Sequence, residues 1–443
     1  MSATNLLKEF YEIIPKEVKF AFAPIFIRLM VKNKVFAETW KELDEFEGKR
    51  AEQKRESQFK RLKETLQYAY SNVPYYRELF DKVDFDPEKM VAFSDIEKIP
   101  LMEKNDAVQA GDKLYSQEKG LKYYKTFTGG SSGQSLTVLL DKESIYRERA
   151  CVTHFLSKFG YNPLKTKTVI FIGHNKKDED FYYSPLKNEI AISPFRLFKD
   201  NELDSICNDI EKFGATFLMG YPSAIVLFAQ MLEKSGRKLN IEHVVYCSEN
   251  CSNENKRYIE KIFNCEVDSY YGHTERACFA EIYESGCVFN DYYGYTELIP
   301  TENKNEYRIV CTGFLSRKMP LIRYATDDVV YKNTDGSMHL IGHRRSEIYL
   351  ISKNGQKVFK GAMTLHIEEL KKIRRYQYVQ NEPGKAELQI VQGEPLTKAE
   401  IAKVNDYIQR RCEGLLDITI CMVDEIQLTA RGKFNWAVNN IGK

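Results

Sequence analysis

The chain lacks the features that mark several large classes of protein. Its longest early apolar run, Phe20 to Ile27, contains Pro24 and ends at Arg28, so it is far too short to cross a bilayer. The 65 Lys and Arg residues nearly balance the 63 Asp and Glu residues, and the net charge of +2 gives no reason to expect nucleic acid as a partner. No internal repeat or low-complexity segment interrupts the 443 residues. These absences favour a soluble globular protein of more than one domain.

The ten cysteines lack the spacing of a disulfide framework or of a zinc motif. No CxxC pair occurs and no signal peptide is evident, which predicts free thiols in a reducing, cytoplasmic compartment. Four cysteines fall among strand-like apolar residues, where buried structural thiols are expected. These four are Cys247, Cys251, Cys265 and Cys278.

Glycine and serine concentrate in one segment, TFTGGSSGQ at 126–134. Because glycine has no Cβ, the backbone N–H groups and hydroxyls of such a segment can surround a phosphate. No Lys follows the last glycine, so the P-loop pattern is absent, and the Rossmann fingerprint is absent too. From these residues alone, a phosphate loop and a polar turn between two strands are both open. The residues predicted to contact phosphate are Thr128, Gly129, Gly130, Ser131, Ser132 and Gly133.

A second segment, SYYGHTE at 269–275, follows a strand-like run from Val267 to Tyr271. A turn at Gly272 would place Thr274 and Glu275 at the carboxyl edge of a strand, where α/β proteins bind ligands. A carboxylate there can hold Mg²⁺ against phosphate oxygens, and Tyr271 offers a ring face for a base. The alternative is a buried tyrosine pair beside a surface glutamate.

Three more segments follow in order: IRYATDD at 322–328, GHRRSE at 342–347 and TARGK at 429–433. Together the five segments resemble the motifs of the adenylate-forming superfamily of acyl-CoA synthetases, luciferases and nonribosomal-peptide adenylation domains. In that resemblance TGGSSG is the phosphate loop, Glu275 of YGHTE binds magnesium, Asp328 of RYATDD holds the ribose hydroxyls, and Lys433 of TARGK is the catalytic lysine. The family has glycine where this chain has Asp327, and the hinge arginine falls on Arg344 or Arg345.

The sequence around these motifs is similar to that of phenylacetate-CoA ligase relatives found in capsule and surface-polysaccharide gene clusters. The similar stretches are LQYAYSNVPYYRELF at 66–80, MGYPSAI at 219–225, CSEN at 247–250 and PLIRY at 320–324. Many members of this branch carry a Cys/His cluster after the magnesium motif, whereas this chain offers only Cys287 and the nearby Cys278 there. The sequence therefore does not favour a structural zinc site, and leaves its presence undecided.

The resemblance assigns the remaining site residues by position. The catalytic group comprises Lys433, Glu275 and Thr274, with Glu275 as the Mg²⁺ ligand. The adenine and ribose group comprises Ser248, Glu249, Tyr271, Gly272, Asp328 and Arg344. The substrate pocket is predicted around His174, which follows the strand-like TVIFIG, together with Tyr221, Tyr246 and His273.

The activity implied by the resemblance is that of an AMP-forming ligase. With ATP and Mg²⁺, a carboxylic acid becomes an acyl-adenylate, and a thiol or an amine then displaces AMP. Coenzyme A is the usual acceptor in the superfamily, and a surface-polysaccharide setting would also suit a carrier-protein thiol or an amine. Two alternatives remain open: a non-catalytic nucleotide-binding accessory protein of a glycan-assembly complex, and an acyl-protein synthetase that carries the acyl group on its own Ser or Cys. The acid and the oligomeric state are not given by the sequence.

The predicted fold is α/β, with a large multi-layer N-terminal domain of mixed sheets and helices and a small mobile α+β C-terminal domain. The expected divisions are a helical extension over 1–118, the ATP, magnesium and carboxylate part over 119–344, and the small domain over 345–443. Residues 1–36 mix aromatic and aliphatic residues with lysines, and docking on the protein's own body is favoured over contact with a membrane surface.

The pattern of apolar residues predicts individual elements. A charged helix carries one buried stripe, at Phe59, Leu62, Leu66 and Tyr70, and ends at Val73-Pro74. Strands are predicted over 137–140, 168–172, 216–219, 244–247 and 267–271. In the small domain, Asn354-Gly355 indicates a hairpin, and it is followed by a helix over 361–374, a strand near 386–391, a helix over 397–412 and a strand over 418–426.

Overall fold

The computed structural model describes residues 28, 31–128, 136–172, 181–184, 188–199, 201–249, 251–341, 349–359, 363, 365, 367–412, 414–426 and 436–441. The chain divides into two compact units. The first unit comprises residues 1–40 and 152–268, and the second comprises residues 41–151 and 269–443.

The described residues form helices and short strands in alternation through the middle of the chain. The helices are α1 Lys34–Glu47, α2 Ala51–Asn72, α3 Pro74–Lys82, α4 Lys104–Ala110, α5 Lys142–Ser157, α6 Leu203–Phe213, α7 Pro222–Ser235, α8 Asn253–Phe263 and α9 Lys398–Cys412. Short 3₁₀ turns lie at Pro87–Lys89, Phe93–Lys98, Gly111–Leu114, Pro194–Phe198 and Glu368–Lys372.

The strands are β1 Tyr123–Phe127, β2 Thr137–Asp141, β3 Thr168–Phe171, β4 Phe181–Ser184, β5 Glu189–Ile192, β6 Phe217–Gly220, β7 His243–Tyr246, β8 Glu266–Gly272, β9 Phe279–Tyr283, β10 Gly286–Phe289, β11 Gly294–Pro300, β12 Glu306–Gly313, β13 Tyr324–Lys332, β14 Met338–Ile341, β15 Tyr349–Ile351, β16 Lys357–Phe359, β17 Ile373–Glu382, β18 Lys385–Gln392, β19 Asp417–Met422 and β20 Ala437–Asn439.

In the first unit, five strands form a mixed sheet in the order β7-β6-β3-β5-β4. Strands β7, β6, β3 and β5 run parallel, and β4 pairs antiparallel with β5. The parallel strands are short and nearly all buried, as expected for strands covered on both faces. Apolar faces of α6 and α7 supply much of this core, including Ile206, Ile210, Ile225 and Phe228.

In the second unit, strands β8, β9 and β10 are antiparallel neighbours, and β11 to β14 form an antiparallel meander. The buried stripe of α2 packs into the same core as α3 and the PLIRY segment. Helix α2 ends at Asn72 and Pro74 opens α3, because proline suits the first turn of a helix and not its interior. The buried Tyr76 hydroxyl donates to the carbonyl of Pro320 at 3.1 Å and accepts the Ile322 N–H at 3.0 Å.

The C-terminal part of the chain is a small α+β arrangement. Strands β15 and β16 form a hairpin, and a four-stranded sheet has the order β19-β18-β17-β20. Strands β17 and β18 are antiparallel, whereas β19 and β20 each join the sheet in parallel. Helix α9 connects β18 to β19 and buries Val404, Ile408 and Cys412.

These observations confirm the predicted α/β fold, with a large mixed-sheet N-terminal domain and a small C-terminal domain. The predicted strands in the middle of the chain, the helical stripe and the hairpin at Asn354-Gly355 are present. The predicted helix over 361–374 is wrong at its end, because residues 368–372 form a 3₁₀ turn and Ile373 opens β17, which pairs with β18 along its length. The predicted strand over 418–426 ends at Met422.

The three-part division at 118 and 344 stays a prediction. Most of the predicted amphipathic segment over 1–36 lies outside the described residues, as do residues 342–348 at the predicted hinge. Among the helices that the structure describes, none is long and apolar enough to span a membrane.

Candidate functional site

Two of the motifs meet within the second unit, at the end of β8 and the start of β13. The Tyr271 hydroxyl donates to Asp328 Oδ2 at 2.8 Å. The Asp328 N–H donates to Thr326 Oγ1 at 3.2 Å, and that hydroxyl in turn donates to the carbonyl of Ile309 at 2.9 Å. The aspartate predicted to hold ribose is therefore fixed by the tyrosine predicted to face the base.

Glu275 lies beside this pair and is held through both of its oxygens. Oε1 accepts the Tyr324 hydroxyl at 2.9 Å, and Oε2 lies 3.1 Å from His273 Nδ1. Burial opposes ionisation, but the hydrogen bond to His273 and the positive charge of Lys104 lower the pKa of Glu275 to about 2. A low pKa favours the ionised form of this half-buried carboxylate, and an ionised carboxylate is the donor that a hard divalent cation requires.

The turn that carries Glu275 comes later than the sequence predicts. Strand β8 continues through Gly272, and the Arg276 N–H donates to the His273 carbonyl at 3.0 Å to close the turn over 273–276. Thr274 is half-buried inside this turn. Arg276 has a positive φ of 52°, which is uncommon for a residue other than glycine, and its guanidinium pairs with Glu148.

Lys104 is a site residue that the sequence interpretation missed. It begins α4 and lies near enough to Glu275, Asp327 and Asp328 for its charge to act on all three. Burial lowers the pKa of Lys104, whereas the three carboxylates oppose that change. A cation therefore accompanies the cluster of anions that the two motifs create.

The position of Lys104 is set by contacts with strands far away in the sequence. The Met102 N–H donates to the Arg323 carbonyl and the Ala325 N–H donates to the Met102 carbonyl, each at 2.9 Å. One residue before the helix, Glu103 receives two hydrogen bonds from the Arg308 guanidinium, at 2.7 and 2.6 Å. This paired geometry fixes the start of α4 against β12 and β13.

The described end of the predicted phosphate loop is Thr128. Its N–H donates to the Leu136 carbonyl at 3.0 Å, and its Oγ1 accepts the Leu136 N–H at 2.8 Å. These two bonds extend the antiparallel pairing of β1 and β2 by one residue pair. Residues 129–133, which contain the predicted phosphate-binding glycines and serines, lie outside the described residues, and so do His174, Arg344, Arg345 and Lys433.

His273 also takes part in what we call the thiol–imidazole cluster, formed by His273, Cys278 and Cys311 in the second unit. Cys278 Sγ lies 3.5 Å and Cys311 Sγ lies 3.9 Å from His273 Nε2. Burial would raise the pKa of Cys278, but the hydrogen bond from Cys311 and the charge of His273 lower it to about 6. Cys278 is buried as predicted, whereas Cys247, Cys251 and Cys265 are only half-buried.

In the first unit, the carboxyl ends of the parallel strands β6 and β7 bring four other predicted residues to one edge. Tyr221 precedes α7, and Tyr246 pairs with Gly220 at the end of β7. The Ser223 N–H donates to Glu249 Oε2 at 3.3 Å, and Ser248 has a positive φ of 68°. A crevice outside the carboxyl ends of parallel strands is where open α/β sheets bind ligands.

Gly220 allows this edge to form because no larger residue fits there. A Cβ atom at position 220 would lie 2.5 Å from the Phe171 carbonyl oxygen, and the backbone φ is +144°. The close approach of β6 to β3 therefore needs glycine immediately before Tyr221.

Solved structures of a 2-hydroxyisobutyryl-CoA ligase have the same fold. One, in the postadenylation state in complex with R3-HIB-AMP, has a TM-score of 0.53 at 13% identity and covers 88% of this chain and 90% of its own. Another, in complex with 2-HIB-AMP and CoA, also has a TM-score of 0.53 at 13% identity over 88% and 90% of the chains. The chain therefore has the fold of an acyl-CoA ligase, and within that fold two motifs meet at Tyr271, Glu275 and Asp328.

Comparison with curated proteins is more specific. The chain is 26% identical to Protein CapK of Staphylococcus aureus over 87% of its own length and 89% of the relative's. It is 22% identical to the phenylacetate-coenzyme A ligase of Pseudomonas putida over 75% and 79% of the two chains. Residues 350–440 match the family described as the CapK C-terminal domain.

Proposed function

We propose that this protein is an AMP-forming ligase that activates a carboxylic acid with ATP and magnesium and transfers the acyl group to an acceptor. The observation that carries the proposal is the joining of two distant motifs: Tyr271 contacts Asp328, and Tyr324 contacts Glu275, so each motif supports the acidic residue of the other. A structural role alone would not need two ionisable carboxylates and Lys104 in one half-buried place.

Asp328 is proposed to hold the ribose hydroxyls, and Tyr271 keeps its carboxylate in place. The Tyr271 hydroxyl donates to Oδ2 and so fixes the direction of the carboxylate. At the edge of β6 and β7 in the first unit, Ser248, Glu249 and Tyr221 are proposed to contact the nucleotide and the acid, as the resemblance implies. Tyr246 and His174 complete that proposed pocket.

The ionised Glu275 is proposed to hold Mg²⁺. A bound magnesium ion neutralises phosphate charge, which favours the approach of one anion to another. The half-buried carboxylate fits a hard cation in charge and in donor type. Thr274 of the same turn is proposed to contact the phosphates, with Thr128 and the segment at 129–133.

The chemical problem is the attack of a carboxylate oxygen on the α-phosphorus of ATP, both of which are anionic. Positioning and charge compensation therefore dominate the barrier. Lys433 is proposed to bridge the carboxylate and the α-phosphate, and Lys104 adds a fixed positive charge beside Glu275 and Asp328. Arg344 or Arg345 is proposed as the hinge arginine about which the C-terminal domain turns before acyl transfer.

The acceptor is proposed to be a thiol, with coenzyme A as the first candidate, or an amine. Similarity to a phenylacetate-coenzyme A ligase, and fold similarity to a ligase solved with CoA, support a thiol. The resemblance to relatives from capsule and surface-polysaccharide clusters implies a place in surface-polysaccharide biosynthesis, and the chain is similar to Protein CapK and to the CapK C-terminal domain. If coenzyme A is not accepted as a substrate, such a setting favours a carrier thiol or an amino sugar as the acceptor.

The test is a screen of aliphatic, aromatic and hydroxylated carboxylic acids for acid-dependent pyrophosphate release, with hydroxylamine as a surrogate acceptor. We expect at least one class of acid to give turnover, and we expect Asp328→Asn to raise the Michaelis constant for ATP. Asp335→Asn is the matched control, because Asp335 lies in an exposed turn and accepts hydrogen bonds from the nearby Ser337. ATP binding without turnover for any acid would instead support an accessory protein.

Intact-mass measurement after incubation with ATP and an accepted acid separates the remaining alternative. A ligase that hands its acyl group to a diffusible acceptor leaves the mass of the protein unchanged. A stable increase by the mass of the acyl group would identify an acyl-protein synthetase.

A further inference from the structure

The thiol–imidazole cluster has the donor atoms of a metal site. His273 Nε2, Cys278 Sγ and Cys311 Sγ lie within 4.8 Å of one another, and the two cysteines are 2% and 0% exposed. Cys311 comes from the middle of β12, whereas His273 and Cys278 flank the turn after β8. The group therefore depends on the fold and has no counterpart as a short sequence motif.

The spacing of these atoms matches a tetrahedral zinc site. With Zn–S bonds of about 2.3 Å and Zn–N bonds of about 2.0–2.1 Å, tetrahedral angles put nitrogen and sulfur about 3.5–3.6 Å apart. The distances from His273 Nε2 are 3.5 Å to Cys278 Sγ and 3.9 Å to Cys311 Sγ. Both nitrogen–sulfur distances lie within a few tenths of an ångström of the tetrahedral value.

The surroundings of His273 have the form found around metal-bound histidines. Its Nδ1 lies 3.1 Å from Glu275 Oε2, and the Tyr324 hydroxyl holds the other oxygen of that carboxylate at 2.9 Å. When His273 loses a proton to become a metal ligand, a carboxylate that accepts the remaining Nδ1 proton leaves the lone pair on Nε2, the atom that faces the thiols. This arrangement orients a histidine ligand and increases its basicity.

We propose that the thiol–imidazole cluster binds one transition-metal ion of the zinc type through His273, Cys278 and Cys311. Two sulfur donors and an imidazole select such an ion over magnesium or calcium, which prefer oxygen. On binding, the thiols that are protonated release their protons to solvent, and three protein ligands leave one tetrahedral position for water or another donor. The ion would join the turn over 273–276 to β12 and so keep His273 against Glu275.

The first experiment measures metal binding to the full chain under reducing conditions. We expect one equivalent of Zn²⁺ per chain, and with Co²⁺ we expect near-ultraviolet absorption from sulfur-to-metal charge transfer. Cys278→Ser and Cys311→Ser should each remove that absorption and most of the bound metal. Cys287→Ser is the matched control, because Cys287 is buried in the same unit but lies outside the cluster, and this variant should bind as the unchanged protein does.

A second experiment needs no substitution and stays informative if the serine variants fail to fold. Zn²⁺ should protect Cys278 and Cys311 from alkylation, as mapped by peptide mass spectrometry, while the reactivity of Cys421 stays the same with and without zinc. Glu275→Gln should lower zinc affinity by about 10–100-fold, the usual effect of losing the partner of a histidine ligand. Metal binding without thiolate absorption, equal zinc content in Cys311→Ser, or a Cys278–Cys311 disulfide in the zinc-treated protein would each overturn the proposal. None of these measurements uses turnover, so they do not depend on the proposed ligase activity.

Discussion

The hydroxyl of Tyr271 gives the sharpest test of how the two motifs work together. Tyr271→Phe removes one oxygen atom and with it the 2.8 Å hydrogen bond to Asp328. If Asp328 holds the ribose, its carboxylate then loses the contact that fixes its direction. We expect the Michaelis constant for ATP to rise, and kcat at saturating ATP to change much less, because the bond acts on nucleotide binding and not on the reacting atoms.

The size of the effect follows from the charge and exposure of the two groups. A hydrogen bond to a charged group contributes about 1.5–3 kcal/mol net. Tyr271 and Asp328 are both half-buried, so water can replace part of the lost bond, and the lower end of that range applies. Because about 1.4 kcal/mol corresponds to a factor of ten, the expected rise in the Michaelis constant is about tenfold.

The assay is pyrophosphate release with an accepted acid over a range of ATP concentrations. Tyr270→Phe is the matched control, since Tyr270 is the neighbouring residue on β8, points to the opposite face and lies against the ring of Phe279. In a double-mutant cycle with Asp328→Ala, the two changes should couple by about 1.5 kcal/mol, because each change removes the same bond. Additive effects, or an equal rise in the Tyr270→Phe variant, would refute the assigned partnership.

Three further predictions concern other charged groups. Lys104→Met should lower acid-dependent pyrophosphate release about tenfold, because it removes the cation beside the site carboxylates, while the exposed Lys98→Met should have little effect. Lys433→Ala should lower the same rate by roughly two to three orders of magnitude with little change in ATP binding, and near-normal turnover would contradict its role. The hydrogen bond from Lys372 lowers the pKa of Glu400 to about 2 from its usual 4.5. The ionised Glu400 therefore makes its full contribution to the stability of the fold above pH 4.5, and this contribution is lost as the pH falls through about 2. Hydrogen exchange in α9 should therefore differ between Glu400→Gln and the unchanged chain at neutral pH, and the difference should vanish in strong acid; a constant difference would contradict this reasoning.

The features that the sequence predicted best are those that depend on neighbouring residues in the chain. The stripe on α2 falls at Leu62 and Leu66, which are fully buried, because helical spacing places such residues on one face. The hairpin at Asn354-Gly355 forms, with Gly355 at a φ of +76°, because this dipeptide tolerates the backbone that a tight turn needs. The order of the motifs led to the CoA ligases, to which this chain is similar in sequence and in fold.

The wrong end of the helix predicted over 361–374 shows where local sequence patterns no longer determine the structure. Ile373 begins a strand, and Tyr378 pairs with Leu388 of β18 on one side and with Ala437 of β20 on the other. Those partners lie ten residues away and further along the chain, so tertiary pairing overrides the helical preference of the segment. No pattern within the window distinguishes the two outcomes.

Lys104 and Cys311 were missed for a similar reason. Lys104 reaches the site because Met102 forms a bridge with Tyr324, more than two hundred residues later. Cys311 reaches His273 because β12 runs beside β13, where the Cys311 thiol lies 3.5 Å from the Tyr324 carbonyl. Neither Lys104 nor Cys311 belongs to a recognisable motif. Both residues become neighbours of the motif residues through strand pairing.

Glu275 links the two proposals, because one carboxylate is required by both. Its Oε2 faces His273 of the thiol–imidazole cluster, and its Oε1 faces Tyr324, which begins the strand that carries Asp328. A carboxylate oxygen has more than one lone pair, so these contacts fix the direction of the group without using up its capacity to bind a cation. A zinc ion on Nε2 would keep His273 from turning away and would strengthen the Nδ1 donor. The cluster would then act on nucleotide chemistry through the orientation of Glu275, at a distance from the phosphates themselves. The same geometry explains the low pKa of this half-buried glutamate, because its two hydrogen-bond donors and the nearby Lys104 offset the partial loss of solvent.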